Sequence, residues 1–235
     1  LFLVAFLYAS VGHGGASGYL ALMAIFSFAP EVMKPTALLL NVFVSIISFI
    51  QFYRGSYFHW KIFLPLALAS VPMAFVGGFI EMDATIYKKV LALLLLIPIG
   101  RILFTSPTQV GELKPANNYI ALFIGGAIGL ISGMVGIGGG IILTPILLIL
   151  KWTDLKQAAA VSALFIFVNS IAGLAGQFSI GIHLNSEMYL YVLIALVGGW
   201  CGAYFGAMKF NQTILKYLLA SALLIAVIKL IFMSA

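Results

Sequence analysis

Two short runs hold the residues best placed to do chemistry. Gly12, His13, Gly14 and Gly15, followed by Ser17, lie in "VGHGGASGY"; Gly136, Gly138, Gly139 and Gly140 lie in "MVGIGGGII". Both runs interrupt apolar sequence, and a glycine inside a helix costs on the order of 1 kcal/mol relative to alanine. A break followed by a new helix presents that helix's N-terminus, whose free N–H groups and positive dipole end suit an anion. Glycine also lets the backbone turn and a ligand come close. In the second run the new helix is expected to start near Ile141, with Pro145 in its first turns, where a missing N–H costs least. In the first run Ser17 offers an extra donor or a cap. His13 is the one group in a glycine break able to titrate near neutrality, so it is the expected carrier of a coupling proton. No His, Cys or Glu set has metal-ligand spacing; neither a metal nor an organic cofactor is expected.

Other polar residues lie within apolar segments. Asn41, Ser45 and Ser48 follow i, i+4, i+7 spacing and share one helix face. Ser162 and Asn169 are spaced i, i+7 on a later segment, with Ser170 and Gln177 nearby. They read either as a polar wall facing the glycine runs or as interhelical hydrogen bonds, worth about 0.6–2 kcal/mol each. The expected substrate-binding set is therefore Gly12, His13, Gly14, Gly15, Ser17, Asn41, Gly136, Gly138, Gly139, Gly140, Ser162 and Asn169. Gly125, Gly126, Gly198, Gly199 and Gly202 read instead as close helix packing. Arg54 either draws anions to a vestibule or snorkels as an anchor. His59 and His183 fall in loops and are assigned no role.

The elements that must position these residues are membrane helices. Hydrophobic residues make up 63% of the chain and charged ones 8%, with a mean hydropathy of +1.19, whereas soluble domains run near a quarter charged. The fold class is all-α: a polytopic integral membrane protein, multi-pass in a prokaryotic inner or plasma membrane. Apolar segments run at about 1–29, 36–53, 60–80, 86–104, 118–150, 157–176, 187–208 and 213–233. The net charge of +6 comes from basic residues set singly at segment ends, a topology signal that leaves no nucleic-acid patch. The single cysteine, Cys201, excludes an internal disulfide.

The chain reads as two homologous halves. "VGHGG" at 11–15 and "VGIGG" at 135–139 are 124 residues apart, and each precedes a polar turn and another apolar segment. Motif, spacing and segment order together point to an internal duplication. The expected division is a first membrane repeat at 1–104, a linker at 105–117 and a second repeat at 118–235. If each broken segment crosses once, the twelve Lys and Arg split seven against five; if each returns to its own side, they split eight against four. The positive-inside rule prefers the second arrangement, which makes the halves an inverted repeat with glycine-broken helices.

"VGIGGGIILTPILLIL" followed by "AAAVSALFIFVNSIAGLAGQF", with "RGSYFHWKIFLPLALASV" in the first half, resembles the sulfite exporter TauE/SafE family along nearly the whole chain. The resemblance implies a secondary transporter of sulfite, sulfonates or related organosulfur or carboxylate anions. The first half departs from the motif: His13 stands opposite Ile137, Ala16 opposite Gly140 and Ala21 opposite Pro145. The partners expected are a small anionic substrate, the lipid bilayer, H⁺ or Na⁺ as coupling ion, and a second copy in a homodimer. Two alternatives remain. One is a passive anion channel, since channels share half-helix sites. The other is a rhomboid-like intramembrane serine protease, since "GASG" at 15–18 matches the serine motif of that family, although neither His59 nor His183 lies deep in a span to serve as its base.

Overall fold

A computed structural model describes residues 1–26, 28, 30–80, 83, 86, 113–181 and 188–211, with isolated positions 213, 214, 217, 218, 221 and 224. The expected spans at 86–104 and 213–233, and the connecting segment up to residue 112, lie outside the described residues apart from those positions. The described residues form eight α-helices and no strand: α1 Phe2–Ser10, α2 Ala16–Ile25, α3 Pro30–Arg54, α4 Trp60–Phe79, α5 Asn118–Val135, α6 Gly140–Ile149, α7 Leu155–Phe178 and α8 Met188–Tyr204. A π-helical turn, Phe205–Lys209, continues α8. Five of these helices are long and apolar enough to cross a membrane. At about 1.5 Å per residue, the 18 residues of α5 nearly match a hydrocarbon layer of roughly 30 Å. The ten residues of α2 and of α6 reach only about half of it. The chain is an all-α polytopic membrane protein.

Local sequence sets the helix ends. Asp154 opens α7 with a capping box: its carboxylate accepts from the Gln157 N–H at 2.9 Å, and the Gln157 side chain accepts from the Asp154 N–H at 3.1 Å. Asn117 caps α5 through the N–H groups of Tyr119 and Ile120. α3 begins six residues earlier than the apolar pattern suggested, with Pro35 inside it; a proline this close to the start removes one backbone bond without ending the helix.

Packing fixes the directions. A Cβ built on Gly125, Gly129 or Gly133 of α5 would strike the backbone of Leu66, Ser70 or Ala74 of α4. The positions rise together, so α4 and α5 are parallel with their backbones in contact. Gly198, Gly202 and Gly206 meet the backbone of Phe2, Phe6 and Ser10 in the same way, so α1 and α8 are parallel. α3 and α7 are antiparallel: Leu38 lies against Gly173, while Phe52 packs with Ala159 and Ala160. The Lys114 N–H donates to the Lys151 carbonyl at 2.8 Å. α5, its break and α6 therefore leave one end of the bundle and return to it.

Candidate functional site

The two breaks meet at Asn41, near the middle of α3. Its Oδ1 accepts from the Ala16 N–H at 3.0 Å and so caps α2. The same amide flanks Gly14, whose built Cβ would lie 2.7 Å from Asn41 Cγ. On the other side, a Cβ on Gly138 would fall 2.6 Å from Asn41 Nδ2 and 3.0 Å from Ser170 Oγ. Both residues are fully buried, and neither Nδ2 nor the Ser170 hydroxyl has a hydrogen-bond partner among the described residues. Leaving a buried donor unpaired costs about 1–3 kcal/mol. Two such donors aimed at one glycine therefore mark a place suited to an acceptor ligand.

A second chain of polar groups crosses between the breaks. His13 Nδ1 lies 2.9 Å from the Val11 carbonyl, which can only accept, so Nδ1 carries the proton. Nε2 faces the Thr144 hydroxyl at 3.4 Å, and that hydroxyl lies 2.7 Å from Ser162 Oγ. This network ties the first break to α6 and α7. α6 begins at Gly140, one residue before the expected start, and its N-cap Gly139 has no side-chain cap. The N-termini of α2 and α6 thus lie on either side of Asn41, each presenting a positive dipole end.

The remaining expected residues have more local surroundings. Gly138 and Gly139 are consecutive left-handed residues, φ 72° and 81°, a conformation that side chains disfavour. Only Gly138 faces the polar groups; a Cβ on Gly139 would meet Ile128 and Phe165. Gly12 packs on the Ala159 backbone, Gly15 on the Tyr19 ring, Gly136 on the Lys34 aliphatic chain and Gly140 on Ile166. Ser17 donates to the Tyr8 hydroxyl at 3.0 Å; Asn41 takes the capping role considered for it. Asn169 Nδ2 donates to the Phe165 carbonyl of its own helix at 2.9 Å, and its Oδ1 has no partner among the described residues. Ser45 and Ser48 are buried with their hydroxyls likewise unpartnered, whereas Ser162 makes an interhelical bond to Thr144. Thr144 and Ser170 were not among the expected ligands. The one signal for Thr144 is its place four residues after Gly140 and next to Pro145. Ser170 adjoins Asn169 in the sequence.

The described basic residues stay at the bundle ends. Lys34 Nζ donates to the Gly78 and Ile80 carbonyls, and Lys156 Nζ to the Tyr57 hydroxyl and the Ala207 carbonyl. Among the described residues, no three His, Cys, Asp or Glu side chains come together to hold a metal.

Comparison with known proteins gives a consistent result. A family model described as "Sulfite exporter TauE/SafE" matches residues 1–230. The chain is 33% identical over 235 residues to the probable membrane transporter protein y4hK of Sinorhizobium fredii, covering 98% of this chain and 95% of that one. It is 29% identical over 203 residues to the probable membrane transporter protein MJ0441 of Methanocaldococcus jannaschii, covering 81% and 73%. It is 27% identical over 231 residues to the probable membrane transporter protein YdhB of Bacillus subtilis, covering 95% and 92%. No solved structure matches.

Proposed function

The chain belongs to the sulfite exporter TauE/SafE family, and from that premise we propose that it is a secondary transporter of a small sulfur-oxyanion or organosulfur anion. It is a multi-pass membrane transporter that moves a small solute, not an enzyme. The protease alternative loses its base as well, since His13 faces Thr144 and Ser17 is bonded to Tyr8. The observation that carries the anion reading is the pair of unpartnered donors, Asn41 Nδ2 and Ser170 Oγ, turned toward Gly138 between two half-helix N-termini. Sulfonate and sulfite oxygens are acceptors, and a site built of donors and dipole ends selects for them.

The halves 1–104 and 118–235, joined through 105–117, are proposed to be an inverted repeat working by alternating access. Support comes from helix direction: α3 and α7 hold corresponding places in the two halves and run antiparallel. His13 is proposed to carry the coupling proton. A bound anion would favour its charged form, so protonation and binding strengthen each other equally. Apparent anion affinity then weakens as pH rises through the imidazole titration, and His13→Gln flattens that dependence. Unchanged profiles in this variant would turn the search for coupling to Na⁺.

The deciding experiment is counterflow in proteoliposomes with a panel of sulfur oxyanions, sulfonates and carboxylates. Uptake of a labelled sulfonate accelerated by the same anion inside is expected. Flux with no acceleration would favour the passive channel, and no response to any anion would overturn the substrate class.

A further inference from the structure

A cavity of about 780 Å³ opens where α4 and α5 begin, between the turn before α4 and the segment before α5. Its polar lining includes His59, Lys61 and Lys114, and its apolar wall Trp60, Leu64 and Pro65. The Lys114 backbone is pinned to Lys151 by the 2.8 Å bond described above. Unlike Lys156, neither Lys61 nor Lys114 spends its ammonium on a hydrogen bond or ion pair among the described residues. We infer that this cavity is a binding site for the phosphate headgroup of an anionic phospholipid.

Charge and shape both favour that occupant. The helix directions place Arg54, Lys61, Lys114, Lys151, Lys156 and Lys209 at this end of the bundle, and Lys34 at the other. The positive-inside rule assigns the basic end to the cytoplasmic leaflet, whose anionic lipids attract basic groups. Among the described residues at this end the acidic side chain is Asp154, and it is committed to capping α7. The apolar wall continues along α4: Trp60, Leu64 and Leu68 are 51%, 48% and 69% exposed. At i, i+4, i+8 they form one stripe, and Ile62, Phe63 and Leu66 are buried beside it. The stripe runs from the cavity into the hydrocarbon layer, where an acyl chain would lie. A lipid would use the lysines and this stripe together, whereas a free anion would use the lysines alone.

Trp60 supplies the readout. The full chain carrying Trp200→Phe, which removes the other exposed tryptophan, is titrated in detergent with phosphatidylglycerol or phosphatidylcholine brominated on the acyl chains. Tighter quenching by the phosphatidylglycerol is expected. A lysine near an anionic surface is worth roughly a factor of five, so Lys61→Gln with Lys114→Gln should weaken that quenching about 25-fold. Lys61→Arg with Lys114→Arg should retain it. Lys209→Gln, at the same end but outside the cavity, should also retain it. Equal quenching by both lipids would overturn the site, as would an equal loss in Lys209→Gln. Displacement of the lipid by millimolar inorganic phosphate would reassign the cavity to a free anion and overturn the lipid assignment.

Discussion

The Asn41 amide divides its hydrogen bonding: Oδ1 caps α2 at Ala16, and Nδ2 faces Gly138 without an acceptor among the described residues. The two atoms can be separated by mutation. Asn41→Asp keeps the acceptor, replaces the amide donor with a carboxylate oxygen and places that charge at a fully buried position, so it should lower stability as well as affinity. Anion affinity should fall at least about tenfold, since a hydrogen bond to a charged group is worth roughly 1.5–3 kcal/mol. Asn41→Ala removes the cap as well and should lower stability by about 1 kcal/mol. Thermal unfolding in detergent, set beside proteoliposome uptake, reads both losses; wild-type transport by Asn41→Asp would remove Asn41 from the site. Gly138→Ala and Gly139→Ala form a matched pair with similar backbone strain. The first should abolish transport, because its Cβ would press on the Asn41 amide, Ile166 and the Ser170 hydroxyl; the second should act mainly through packing against Ile128 and Phe165. Equal transport losses at matched stability would argue against the orientation assigned to Gly138. The glycines were legible in the sequence because a helix interior penalises them. Thr144 was not, and Ser170 was legible only within a polar set that reads equally well as packing, because a hydroxyl in an apolar helix commonly bonds its own backbone, as Thr36 does with the Val32 carbonyl at 2.6 Å. Nothing in one sequence separates that case from a hydroxyl turned into a site.

At the scale of elements, two seams of glycine at every fourth residue hold parallel helices together. The packing reading holds backbone to backbone for Gly125, Gly198 and Gly202, and extends to Gly129, Gly133 and Gly206. Gly199 meets the Val44 side chain, and Gly126 makes only ordinary contacts, at 3.7 Å or more. Two glycines three residues apart in one helix therefore have opposite expectations. Gly129→Ala should destabilise by about 1–2 kcal/mol, overpacking outweighing the gain in helix propensity. Gly126→Ala should be neutral or stabilising by up to about 1 kcal/mol. Unfolding of both variants in mild denaturant would test the seam, and equal stability would show that α4 moves aside at little cost. Helix existence was plain from composition. Helix ends were less so, because α3 runs through Pro35 and α6 starts on a glycine, both against residue propensity.

At the scale of the whole molecule, the open question in the sequence was whether each broken segment crosses the membrane or turns back. The two charge splits differed by a single residue, because isolated surface lysines carry little positional information beyond their end of a helix. In the structure, Lys114 and Lys151 are joined by a backbone bond although α5, a break and α6 lie between them. α6 is also too short to cross alone. The consequence can be measured in cells. In a Cys201→Ser background, Lys114→Cys, Lys151→Cys and Ser56→Cys should react with a membrane-impermeant maleimide only from the cytoplasmic face, while Asp83→Cys, beyond the far end of α4, should react from outside. Ser56 fixes the side independently, since it lies in the turn between α3 and α4. If residue 151 labels with residue 83 and not with 114, α6 completes a crossing. That would overturn the proposed inverted repeat, and the two half-helix N-termini could not meet from opposite sides at Asn41. If 114, 151 and 56 label together from outside, the re-entrant fold stands but its orientation reverses, and the basic cavity faces the outer leaflet.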